Sequence, residues 1–273
     1  MRVSTVRVPC APLPPRRAIV DARRPGAWEK VGGITLAARA FFHLRDMGLK
    51  SIHLLFPSGR DPQTLNPWAA GLEVGCTEAG DDFNWPGPGR AEEGERFLYL
   101  DAAHLIDPRI LHALAGMPAP GLAFIRVSDR EAGIVRAGIL GEDDFRFLAE
   151  EGGRSLAGIA GSLFPEDIDP FCPRTRGHRT PCFLEVNDSS EARAATRRLI
   201  RHQQKQVMDL PAQYLDPPFE NALVYLLCDT PVTPNMVTFL CLAVAIGVGW
   251  LFWNGHFLLG ALGTLCVEIL DGV

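Results

Sequence analysis

Hydrophobic residues are distributed in two different ways along this chain. Up to Asp229 they come in short runs broken by charged and turn-forming residues; from Pro231 to Val267 there is no Asp, Glu, Lys or Arg. In the first part, "RRAIVDA", "SIHLLFP" and "RFLYLDA" have the pattern of short buried strands. "ITLAARAFFHLRDMG" spaces Leu36, Ala40, Phe41, Leu44 and Met47 at helical intervals, with Gly48 as the stop. "DPRILHALAGM" predicts a second helix, with Asp107 as its cap and Pro108 in its first turn, where a missing N–H costs nothing. A Gly-, Pro- and Asp-rich loop runs from Glu78 to Glu95, and "PCFLEVND" reads as the closing strand. Alternating strands and helices predict a mostly parallel sheet covered by helices.

"SSEARAATRRLIRHQQKQ" predicts a helix capped by Ser189 or Ser190, on which Arg193, Arg197, Arg201 and Lys205 form one basic stripe. On an isolated helix such a stripe is a solvated face. Ahead of an apolar segment, each basic group near anionic headgroups gains about 1 kcal/mol, which favours a membrane surface. "DPPFENALVYLLCDT" places Phe219, Leu223, Leu226 and Leu227 on one face; it is too short to span and suited to lie in the interface. Pro231 and Pro234 then turn the chain.

Met236 to Trp253 is close to the lower limit of about 17 residues for crossing the hydrocarbon core. Trp250 and Trp253 stand at its far end, where indoles favour the interface. After the turn "NGH", "FLLGALGTLCVEILDGV" heads back, and its Gly260 and Gly263 leave room for a second helix. The basic residues precede the first span and the turn after it has none. By the positive-inside rule the N-terminal part faces the cytoplasm.

The net charge of −5 and a mean hydropathy near zero average over these unlike halves. "MRVSTVRVPCAPLPPRR" lacks the apolar core of a secretory signal. Seven cysteines without framework spacing imply reduced thiols. Cys172, His178 and Cys182 lie close in sequence, but a structural zinc takes four ligands and no second pair is near. An irregular loop is the better reading.

Glu268 and Asp271 are three apart and share a helix face. A charged group at the centre of a membrane helix costs about 2.5 kcal/mol or more, so it faces a cavity, a partner or a metal. The alternative is that both acids mark the aqueous end of the span. Gly272 removes a side chain where a ligand or a second helix comes close.

"TPVTPNMVT" and "EILDGV" together resemble the CDP-alcohol phosphatidyltransferase family. Its signature begins Asp-x-x-Asp-Gly-x-x-Ala-Arg and continues on the next helix as Gly-x-x-x-Asp-x-x-x-Asp. The resemblance implies aspartates that bind Mg2+ or Mn2+, a cation that holds the diphosphate of a CDP-linked donor, and an alcohol acceptor that displaces CMP. It also implies a lipid bilayer, about six spans and a homodimer; no nucleic-acid partner is expected. Two registers remain. In the favoured one Asp271 is the leading aspartate; in the other Glu268 takes that place and Asp271-Gly272 is the second pair. In either, the signature would run on past Val273, where the general base is expected. Asn235 and Thr238 resemble the family's segment near the nucleotide, and helix capping is their ordinary role.

One branch of that family carries an N-terminal nucleotidyltransferase-like domain, as where inositol-phosphate cytidylyltransferase is fused to di-inositol-phosphate-phosphate synthase. "AIVDARRPGAWEKVGGITLAARAFFHLRDMGLKSIHLLF" resembles it in the order strand, loop, Val-Gly-Gly, helix, strand. Functional members have Ala-Ala-Gly-x-Gly-x-Arg after the strand, a loop whose N–H groups cradle phosphates. Here the loop is shortened to "DARRPGAWEK", and Gly26 stands where a phosphate-binding lysine is expected. In "FLYLDAAHLIDPRIL" Ala103 replaces the metal-binding aspartate before His104. Arg23, Arg24 and Lys30 are left to attract phosphates.

The expectation is therefore an α/β chain: a Rossmann-like, degenerate nucleotidyltransferase-type head over 1–188, a linker and interfacial helix over 189–235, and the first two spans of a helical transmembrane region over 236–273. The function expected is that of an integral membrane CDP-alcohol phosphotransferase with a cytoplasmic head. The metal ligands are Asp271 and Glu268, and the substrate-binding residues Asn235, Thr238 and Gly272. A membrane-anchored sugar- or inositol-phosphate nucleotidyltransferase and a non-catalytic scaffold are the alternatives.

Overall fold

The computed structural model describes residues 15–78, 96–116, 123–125, 136–140, 161–172, 177–203 and 216–272. The chain divides into two compact units, Met1–Pro170 with Thr180–Ala195, and Phe171–Arg179 with Thr196–Val273. The loop expected over Glu78 to Glu95 lies almost wholly outside the described residues, as does Lys205.

In the first unit the predicted strands form as β1 (Arg17–Asp21), β4 (Ser51–Phe56) and β6 (Phe97–Asp101). Between β1 and β4 lie a short hairpin, β2 (Lys30–Val31) and β3 (Ile34–Thr35), and helix α1 (Leu36–Asp46). The hairpin turns on Gly32 and Gly33, both at positive φ, the combination a two-residue turn between twisted strands demands. Thr35 caps α1 by accepting from the Ala38 N–H, and Leu36, Ala40, Phe41 and Leu44 are buried as their spacing predicts. Gly48 follows the helix at φ +81°.

Seven strands make the main sheet: β10 (Gly161–Leu163), β8 (Ala123–Ile125), β9 (Ala137–Leu140), β6, β1, β4 and β5 (Glu73–Glu78), in that order. Only β9 runs antiparallel to its neighbours. The mixed α/β architecture with a mostly parallel sheet is as expected. Alternation sorts its faces: Ala18, Val20, Ile52, Leu54, Leu98 and Leu100 join Phe41 and Leu44 of α1 in one core. Strand β5, not anticipated, is an exposed edge whose charged ends and Gly75 hide it from an apolar-run search.

Helix α2 (Pro108–Ala115) starts as predicted, Asp107 accepting from the Arg109 N–H with Pro108 in the first turn. The expected closing strand behaves differently. β13 (Phe183–Glu185) stays out of the main sheet and pairs antiparallel with β7 (His104–Ile106) in a two-stranded ribbon of its own. The reason is local: Ala102 and Ala103 turn the chain out of β6 before β7 begins, and Val186 N–H donates to the Ala103 carbonyl at 2.9 Å. Helix α3 (Ser189–Gln203) forms, but its cap is Asp188, which accepts from the N–H groups of Ser190 and Glu191 at 2.7 and 2.9 Å. A carboxylate there also favours the positive end of the helix dipole, which neither serine offers.

Among its described residues the second unit holds a small ribbon, β11 (Phe171–Cys172) with β12 (Gly177–His178), and after α3 the helices α4 (Asp216–Leu227), α5 (Pro234–Trp253) and α6 (Phe257–Asp271). Thr233 caps α5, with Pro234 in its first turn. Among the described residues α5 alone is long and apolar enough to cross a membrane. The helix in the place of the expected second span, α6, has 15 residues, roughly 22 Å.

The two helices form a close antiparallel hairpin. A Cβ on Gly260 would sit 2.8 Å from the Phe252 ring, and one on Gly263 2.5 Å from Val248 Cγ2, so both glycines serve the helix approach expected of them. Gly263→Leu is expected to cost about 1–3 kcal/mol by forcing α6 off α5. Gly247→Leu, in open space, should cost far less. Chemical denaturation of the full chain in detergent, followed by tryptophan fluorescence, measures both.

Candidate functional site

In an open parallel sheet, ligands bind beyond the carboxyl ends of the strands, and here that edge belongs to β1 and β6. Their last residues, Asp21 and Asp101, are register partners lying side by side, both buried. Neither carboxylate is available. Asp21 accepts from Arg23 Nε at 2.9 Å and Nη2 at 2.5 Å, and from the Tyr99 hydroxyl at 3.1 Å.

Asp101 accepts from Ala103 N–H at 2.9 Å, Arg24 Nη1 at 3.1 Å and Arg136 Nη1 at 3.2 Å. Both arginines continue to Glu185 on β13, Arg136 at 3.5 Å, and Arg24 also reaches Asn187 at 2.5 Å. Two guanidinium groups and two carboxylates thus close a ring: Arg24, Asp101, Arg136, Glu185. Its charges cancel.

The electrostatics follow. Burial on its own would raise the Asp101 carboxyl, but the nearby His104 ring, the Ala103 N–H and Arg24 outweigh it and bring the pKa down to about 2. Glu185 is lowered in the same way, burial being overcome by Arg24 and Arg136. Tyr99 is pushed far up by burial and by the charges of Asp21 and Asp101, so its hydroxyl keeps its proton and donates it. His104 is buried, stacked on Phe183 with ring centroids 5.0 Å apart. Its Nδ1 stands 3.4 Å from Asp101 Oδ2.

Arg23 and Arg24, expected to attract phosphates, are instead spent on the protein's own acids, while Lys30 remains exposed. Gly26 has a positive structural reason. A Cβ there would overlap the Val186 carbonyl oxygen, so the turn after β1 packs backbone to backbone on the residues that follow β13. A lysine has no room at that position.

The sequence-predicted site residues all lie in the second unit. Glu268 and Asp271 are exposed in the last turn of α6, and Asn235 and Thr238 are in the first turns of α5. Thr238 donates its hydroxyl to the Pro234 carbonyl at 3.1 Å, the ordinary role for a threonine there. Three contacts fix the hairpin register: Phe252 beside Gly260, Val248 beside Gly263, and Cys241 Sγ at 3.7 Å from the Val267 carbonyl. Carried forward, it brings the Asn235–Thr238 turn and the Glu268–Asp271 turn to the same end of the hairpin.

At Gly272, where a ligand or a second helix was expected to come close, the neighbour is α4: a Cβ there would overlap the Glu220 carboxylate, a partner the sequence did not point to.

Carboxylate oxygens are the donors Mg2+ and Mn2+ prefer, and Mg2+ is commonly held by one or two carboxylates together with substrate phosphates. Glu268 and Asp271 fit that chemistry. Among the described residues no group of three or more His, Cys, Asp or Glu is arranged for a metal.

No protein-family model matches the chain, and no curated protein matches it. Among the solved structures similar to it, three illustrate the likeness. They are the inositol-1-phosphate CTP transferase from T. maritima (14% identity, 69% of this chain and 98% of that one, TM-score 0.43), HddC from Yersinia pseudotuberculosis (10%, 67% and 99%, 0.43), and UDP-glucose pyrophosphorylase complexed with UDP-glucose (9%, 69% and 99%, 0.47). Likeness at this level assigns neither a family nor an activity.

Proposed function

We propose that the chain belongs to an integral membrane CDP-alcohol phosphotransferase, in which the hairpin end of the second unit forms part of the active site and the head is non-catalytic. The observation that carries this reading is the hairpin register, which sets the Asn235–Thr238 turn beside the acid pair Glu268 and Asp271. Residues that resemble two separate pieces of one family motif thus share one end of a helix pair. The charge-free, outward-facing surface of α5 supports a bilayer setting.

In this reading Asp271 and Glu268 present carboxylate oxygens, and Asn235 and Thr238 line the approach of a CDP-linked donor. A bound divalent cation supplies neutralisation of the donor's diphosphate and of the CMP leaving group. Glu220 packs on Gly272 and holds the end of α6 in place. The head's carboxyl edge, closed by its own ion pairs, contributes no phosphate cradle.

Binding of a CDP-linked lipid by the chain in lipid nanodiscs tests this reading. Binding should require Mg2+ or Mn2+ and fall at least tenfold in Asp271→Asn. Equal affinity in the presence of a chelator would end it. CTP-dependent nucleotidyl transfer by the same preparation would move the activity to the head.

A further inference from the structure

We propose that the C-terminal half of α3 is a docking surface for anionic phospholipid headgroups, held against the bilayer by Tyr225 of α4. This rests on the membrane reading above and adds a lipid-charge requirement to it.

The charge pattern is one-sided. From Ala192 to Met208 there is no acid, while Arg193, Arg197, Arg198, Arg201 and Lys205 are basic. Arg197, Arg198 and Arg201 are exposed. A helix face that only solvent covers commonly balances such residues with acids four positions away, and here that balance is missing.

One contact ties this face to an apolar helix of the same unit, and a second joins it to the residue that follows β12. The Arg197 guanidinium lies over the Tyr225 ring, 5.6 Å from its centroid, which fixes α3 to α4. Arg179 donates to the Arg201 carbonyl, bringing a further cation to the helix's C-terminal end. α4 in turn meets α6 through Glu220 and Gly272. Tyr225 has the amphipathic character of an interfacial anchor, and Phe219 and Leu226 of α4 are left facing outward. Exposed guanidinium groups thus adjoin a helix with outward-facing apolar residues. Lipid phosphodiesters are the anions of a bilayer surface, and guanidinium pairs with phosphate through two parallel hydrogen bonds.

Hydrogen exchange over residues 192–203 of the full chain, in nanodiscs of phosphatidylcholine alone or with phosphatidylglycerol, decides the matter. Protection is expected to rise with phosphatidylglycerol and to fall in high salt. It should drop about fivefold for each of Arg197→Gln and Arg201→Gln, the equivalent of about 1 kcal/mol per residue. Insertion with protection independent of lipid charge would overturn the docking surface and leave the phosphotransferase reading standing. Protection produced in neutral discs by inorganic phosphate alone would replace the lipid with a soluble anion and overturn it as well. Failure of the chain to insert would overturn the membrane reading and this inference together.

Discussion

Replacing Asp101 with asparagine is expected to cost the head about 3 kcal/mol at neutral pH, the range found when one partner of a buried ion pair is removed. The amide keeps the shape and can still accept from Ala103 N–H, but it removes from Arg24 and Arg136 the carboxylate they share. The effect depends on pH in a defined direction. In the folded chain Asp101 titrates near 2, below its ordinary 3.8, so its ionised form stabilises the fold at all pH values above about 4. That contribution, about 2 kcal/mol, is lost as pH falls from 4 towards 2. Wild type and variant should therefore differ fully at pH 7 and converge near pH 2. Urea titrations at several pH values, read by hydrogen exchange in β1 and β6, measure the convergence. A difference that stayed constant down to pH 2 would show that charge is not what Asp101 contributes.

Gly26→Lys is expected to fail as a restoration of phosphate binding and to destabilise the head by about 3 kcal/mol or more. The family resemblance invites the substitution, because a lysine belongs at that point of a working transferase. The backbone forbids it. The Cβ alone would overlap the Val186 carbonyl, a rigid atom that cannot swing aside as a side-chain tip can. Gly26→Ala separates the causes: if steric overlap is the reason, alanine costs nearly as much as lysine. An alanine variant of native stability would refute the packing argument, and CTP binding by the lysine variant would refute the claim that the head is closed to nucleotides.

These two positions also show what a reader of the sequence can and cannot see. Strands β1, β4 and β6, and helices α1 and α2, are written in short apolar runs, helical spacing and caps such as Asp107-Pro108, all of them local signals. The Gly26 packing is not local. Its partner is Val186, and composition cannot say whether a glycine marks a lost lysine or a close crossing of two backbones. Arg23 and Arg24 read as a phosphate-attracting pair until Asp21, Asp101 and Glu185 are found within reach.

Strand β13 was visible as a strand, yet its partner depended on where the chain leaves β6. In the second unit the glycines at 260 and 263 signalled a helix contact correctly because helix spacing is local, whereas the role of Glu220 beside Gly272 needed the hairpin to be folded first.

The ring of Arg24, Asp101, Arg136 and Glu185 has a consequence for biosynthesis. Its four members are spread over most of the head, and Glu185 is the last to be made. Until the ribosome has added Glu185, Arg24 and Arg136 lack their second carboxylate partner, and pairing across such sequence distances is slow. The head therefore locks only after Glu185 has been made, shortly before the apolar α5–α6 hairpin is translated.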